Sequence, residues 1–161
     1  MYGGFLWLHS LIRWALLLLL VVNLIRLNVE SKYKFDRTDK RWSQLLYYIV
    51  FANLVASIYL YFYGDNGLQV VEIQKYTLQD VLQSDSLRFW IIEHPLMMLF
   101  SLLLIMASHF VAIKDRITPT QKHTALSVLY ITALVVILVA VPWPFRGEGI
   151  ARPAFRALNH E

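Results

Sequence analysis

Leu16-Leu17-Leu18-Leu19-Leu20-Val21-Val22 decides the fold. This aliphatic run lies inside a longer apolar segment, Phe5 to Leu27, which exceeds the roughly 20 helical residues that a bilayer core requires. Three further segments meet the same length: Trp42 to Tyr63, Leu87 to Ile113, and Thr124 to Val141, the last closed by Pro142-Trp143-Pro144. None alternates as a strand would. Helices satisfy every backbone polar group within the segment, as hydrocarbon demands. The chain therefore reads as all-α, a four-helix transmembrane bundle forming one integral membrane domain over residues 1–161. An even number of crossings puts both ends on the same side.

Composition agrees. Hydrophobic residues make up 58% of the chain and charged residues 16%, against about half and about a quarter in soluble domains. The absence of cysteine excludes disulfides, thiolate metal sites, iron–sulfur ligation and cysteine nucleophiles. A net charge of +4 in such a chain points to basic loops facing anionic lipid, not to nucleic acid. Arg26, Lys32, Lys34, Arg37, Lys40 and Arg41 lie between the first two segments, and Lys114, Arg116 and Lys122 lie between the last two. The opposite side holds Lys75, Arg88, Arg146, Arg152 and Arg156. The more basic side is expected to be cytoplasmic, with both termini on the outer, periplasmic side of a bacterial inner membrane. The first segment lacks the basic n-region and cleavage site of a secretory signal, so it is expected to be retained. The long loop from Gly64 to Ser86 opens on the turn Gly64-Asp65-Asn66-Gly67 and mixes apolar with charged residues, as a short amphipathic surface helix would.

Ionisable groups inside membrane helices are costly and therefore informative. Here they are His9, Arg13, Glu93, His94 and His109, with His123 at a helix entrance. At 1.5 Å per residue, His9 lies roughly 6 Å and Arg13 roughly 12 Å below the outer boundary, beside Glu93 at about 9 Å and His94 at about 10 Å. Two histidines on different helices at matched depth are what a bis-histidine b-type haem requires. Arg13 and Arg146 are placed as cationic partners for its propionates. His109 and His123 share the inner layer and form a second candidate iron-ligand pair, about 22 Å from His94 along the third helix. The bland readings are interfacial histidines, an Arg13–Glu93 ion pair that fixes helix register, and a packing kink at Pro95. Pro95 frees the carbonyl of Ile91. Met97, Met98 and Met106 read as packing or lipid-facing material.

His9-Ser10-Leu11-Ile12-Arg13-Trp14, Glu93-His94-Pro95-Leu96-Met97-Met98 and Pro142-Trp143-Pro144-Phe145-Arg146 resemble a group of small bacterial four-helix membrane proteins labelled cytochrome b. The resemblance covers most of the chain and extends to His109 and His123. It implies one haem b, with a second as an option, and a role in membrane electron transfer. Members of the group often carry a histidine in the second helix, where this chain has Asn53. Asn cannot replace imidazole as an ordinary haem ligand, and this departure favours a structural role.

Two functions follow as expectations. The first is a haem b electron carrier that exchanges electrons with quinone or a partner cytochrome, as part of a larger complex. The second is a non-catalytic accessory subunit that packs against other membrane subunits without its own haem. With short loops and no soluble domain, the chain reads as either of these before a stand-alone enzyme. A transporter or proton-conducting element using Arg13 and Glu93 finds no inverted repeat to support it.

Overall fold

A computed structural model describes residues 2–29 and 34–153. Every regular element among them is helical. Helix α1 is Tyr2–Val29, α2 Arg37–Tyr63, α3 Leu68–Gln74, α4 Leu78–Gln83 and α5 Asp85–Arg88. A π-helical turn, Phe89–Glu93, joins α5 to α6, His94–Ile113, and α7 is Pro119–Ala140. Four stretches are long and apolar enough to cross a membrane: Gly3–Val29, Arg37–Gln74, Asp85–Ile113 and Pro119–Ala140. They coincide with the four expected segments, and the second and fourth start earlier because their first turns are polar and capped. Asp36 accepts from the N–H groups of Thr38 and Asp39 while Asp39 accepts from the N–H of Asp36, so α2 starts at Arg37 and not at Trp42. Thr118 and Gln121 cap each other in the same way and start α7 at Pro119. Such reciprocal caps satisfy donors that a helix start otherwise leaves open.

Contacts at both ends of each helix pair define the topology. Helices α1 and α2 meet at Arg26–Asp39 and again at His9–Ser57. On α2 and α6, Tyr47 stacks on His109 at one end, and Tyr61 reaches the π turn that begins α6 at the other. Lys122 of α7 donates to the Ala112 carbonyl of α6, and His94 meets the Ala140 carbonyl. His123 meets the Leu27 carbonyl, and Trp143, just beyond α7, meets Trp14 edge-on. Every pair is antiparallel, and the helices close an up-down-up-down square in the order α1, α2, α6, α7. One end of the bundle carries Tyr2, Pro153 and the loop between α2 and α6; it is called the terminal end below. The other carries the basic loops. Lys32 and Arg156 lie outside the described residues.

Leu20, Leu46, Ile105, Leu126 and Ile137 fill the core, with Ala112, Ala133 and Ala140 letting the backbones approach. The outside of the bundle is as apolar as the inside. Leu18 is 65% exposed, and Val55, Leu103, Val128 and Val135 are each more than half exposed. A continuous apolar surface of this kind is a membrane surface. The loop helix expected between Gly64 and Ser86 forms as two pieces. Lys75 adopts φ 53°, which ends α3, and a Thr77–Asp80 capping box starts α4.

Pro95 explains the π turn. It has no N–H to offer the Ile91 carbonyl, and its ring crowds the preceding turn. The chain widens there, so that the N–H of His94 bonds the Phe89 carbonyl five residues back. The hydroxyl of Tyr61 then donates to the Ile91 carbonyl at 3.2 Å. Tyr61→Phe is expected to lower unfolding stability in detergent by about 0.5–1.5 kcal/mol. In a Pro95→Ala background residue 95 regains its N–H, and the effect of Tyr61→Phe should shrink towards zero. Equal effects in both backgrounds would show that the hydroxyl serves something else.

Asp36 gives a second test. The N–H groups of Thr38 and Asp39 hold its carboxyl below the usual carboxylate value. A lowered value means the charged cap stabilises α2 at every pH above the ordinary one, and the contribution vanishes as pH falls through the lowered one. Amide-exchange protection at Thr38 and Asp39 should fall in that acid window. Asp36→Asn, which caps without titrating, should remove the pH dependence.

Candidate functional site

The bundle is hollow at its terminal end. A cavity of about 280 Å³ there is lined by His9 and Arg13 of α1, Asn53, Ser57 and Tyr61 of α2, and His94, Met98 and Ser101 of α6, with Trp90 and Arg152 above them. The spacing explains why these side chains converge. His9 and Arg13 are four residues apart on one helix, as are Asn53, Ser57 and Tyr61 on another, so each set lies on one helix face. His9, Arg13 and His94, expected at matched depth, all line one cavity.

The two imidazoles are oriented by oxygen atoms. Nδ1 of His94 lies 2.8 Å from the Ala140 carbonyl. A carbonyl only accepts, so Nδ1 carries the proton and Nε2 keeps its lone pair. Nδ1 of His9 lies 3.2 Å from Ser57 Oγ. Ser57 gives its one proton to the Asn53 carbonyl at 2.7 Å, which leaves its oxygen to accept from His9. His9 is thereby held in the same tautomer. An N–H to oxygen on one side of the ring is the arrangement typical of metal-binding histidine, which ligates through its other nitrogen. Asn53 lines the same cavity, and its Oδ1 is buried without a hydrogen-bond partner.

Other expectations change. Glu93 pairs with Arg88 at 2.8 Å and not with Arg13, because the π turn carries it to the rim. Arg146 does not line the cavity. Its guanidinium lies 5.0 Å above the Phe89 ring and donates to the Val139 carbonyl. The cation over the cavity at that end is Arg152, which donates to Asn66 Oδ1 at 2.9 Å and stacks 4.8 Å over Trp90. The segment from Gly147 to Pro153 folds back, with the Arg152 N–H on the Pro142 carbonyl. Met98, expected to be packing or lipid-facing material, is a cavity wall, and the second helix supplies three polar groups. The polar stripe Asn53, Ser57, Tyr61 was the available signal; nothing local marks Arg152.

The inner pair fares differently. Nδ1 of His123 is 3.1 Å from the Leu27 carbonyl and Nε2 is 3.0 Å from the Lys34 carbonyl, so neither nitrogen is left for iron. His109 instead stacks on Tyr47, ring centroids 4.8 Å apart. The structure gives these histidines separate neighbours, and His123 acts as a clamp between α7 and the start of the α1–α2 connection. No protein-family model, curated protein or solved structure matches this chain. The functional reading therefore rests on the cavity at the terminal end.

His123→Ala would strand two backbone carbonyls and is expected to cost about 1–3 kcal/mol of stability. It should leave ligand binding in the terminal-end cavity unchanged. Thermal unfolding and ligand titration of the same variant check both halves.

Proposed function

We propose that this chain is a small cytochrome-b-like carrier of electrons in the membrane, holding one b-type haem with His9 and His94 as axial ligands. The observation that carries the reading is the pair of imidazoles lining one membrane-buried cavity, each with Nδ1 anchored on oxygen. Among the described residues no three His, Cys, Asp or Glu side chains gather. A metal at this pair would need its remaining ligands from a macrocycle. With no cysteine in the chain, that macrocycle would be held without thioether bonds, as b-type haem is. The haem supplies a one-electron iron couple when bound. Arg13 and Arg152 are the charged residues of the lining, both cationic, and suit a ligand bearing carboxylates. Asn53, where the resembling group often has histidine, lines the cavity beside His9 and is no axial ligand.

The proposal is for one haem and excludes the His109 and His123 pair. Arg37, Lys40, Arg41, Lys114 and Arg116 lie at the basic end, which would face the cytoplasm. The cavity then sits in the outer leaflet of a bacterial inner membrane, with both termini in the periplasm. Lipid surrounds the bundle, and a larger membrane complex and quinone are the proposed redox partners.

A reduced-minus-oxidised absorption spectrum of the purified protein should show a b-type α-band. His9→Ala and His94→Ala should each abolish it, and His123→Ala should keep it. A folded but colourless wild-type protein that co-purifies with other membrane subunits would overturn the proposal in favour of an accessory structural role.

A further inference from the structure

The cavity has a roof on its aqueous side and thin walls on its lipid side. The roof joins the α2–α3 turn to the segment after α7. Arg152 donates to Asn66 at 2.9 Å and lies over Trp90. Trp90 Nε1 and Ser86 Oγ both donate to the Gly149 carbonyl, at 3.0 and 3.1 Å. Gly67 lets the turn lie flat on the end of α2, since a Cβ there would stand 2.2 Å from the Tyr61 carbonyl oxygen. The side wall is different. Leu54 and Ile58 on α2, and Pro95 and Leu99 on α6, line the cavity. Yet Ile58 is 50% exposed and Leu99 47%, on a surface that lipid covers. Helices α2 and α6 are joined above this point, by Tyr61 on the Ile91 carbonyl, and below it, by Tyr47 on His109. Between those two ties their seam is formed by side chains that face the cavity and the bilayer at once.

We infer that the cavity exchanges its ligand with the lipid phase, through a portal in the α2–α6 seam framed by Leu54 and Ile58 on one side and Pro95 and Leu99 on the other. The ligand class is an amphipathic molecule with an apolar body that dissolves in the bilayer and acidic groups for Arg13 or Arg152. The proposed function enters only in naming that ligand as haem. Small fluctuations of two aliphatic side chains open the portal, whereas the roof opens only by breaking several hydrogen bonds and the Arg152–Trp90 stack.

The absence of native cysteine makes the test clean. Ser57→Cys places one thiol in the cavity of the full chain reconstituted in liposomes. A pyrene maleimide dissolved in the lipid should label it readily, and adding Ile58→Trp or Leu99→Trp should slow labelling several-fold. The milder Ile58→Phe and Leu99→Phe serve if a tryptophan variant fails to fold. A charged methanethiosulfonate added from water should label slowly, and faster once Arg152→Ala opens the roof. Lipid-side labelling indifferent to the plugs, or water-side labelling as fast as lipid-side labelling with the roof intact, would overturn the portal. In a parallel arm, uptake of hemin from hemin-loaded vesicles should slow with the same plugs. A wild-type protein that takes up no hemin defeats the haem reading alone, and the thiol result still decides the portal.

Discussion

In hydrocarbon a backbone carbonyl without a donor is expensive, and Pro95 leaves one at Ile91. The Tyr61 hydroxyl that answers it ties α2 to α6 at the hollow end of the bundle. The π turn that accommodates the proline adds a residue to one turn and advances the helix by about 100°. Just ahead of the turn and at its start, Ser86 and Trp90 meet the Gly149 carbonyl. After it, His94, Met98, Ser101 and Ile105 line the cavity. Roof and cavity wall are therefore two phases of the same span, set by one proline and held by one tyrosine.

The bundle divides its labour along its length. Its basic end is fastened. Arg26 pairs with Asp39 and Lys40 with Asp115. Lys122 caps the Ala112 carbonyl, and His123 holds two more. The middle is a close-packed apolar core around Leu20, Leu46, Leu126 and Tyr130. The cavity lies at the terminal end, and there the polar groups come from faces of α1, α2 and α6 that would otherwise pack as core.

Most of the fold was legible because the physics behind it is local. Hydropathy over about 20 residues finds each span. The polar first turns fell outside those windows, yet their signals are plain in Asp36 with Asp39 and Thr118 with Gln121, the spacing of a capping box. The matched depth of His9, Arg13 and His94 was legible from helical rise alone. What sequence hid was rotation and long-range return. A π turn changes which way Glu93 points, and no hydropathy pattern announces it. Both nitrogens of His123 face carbonyls, one in the last turns of α1 and one just before α2, which depth along a helix does not reveal. Arg152 reaches the cavity through contacts to Asn66 and Trp90, 86 and 62 residues away in the chain. Arg146, the last residue of the motif that drew attention to it, lies over Phe89 and does not line the cavity.

The roof has a consequence for how the molecule is made. Most of the cavity lining comes from residues before Pro142, but the side chain that latches the roof is Arg152. Ribosomal synthesis delivers α1, α2 and α6 to the membrane first and the latch after all four spans. During that interval the cavity has histidines but no cover. A chain interrupted after α7 would keep most of the hollow's lining while losing the Arg152 latch.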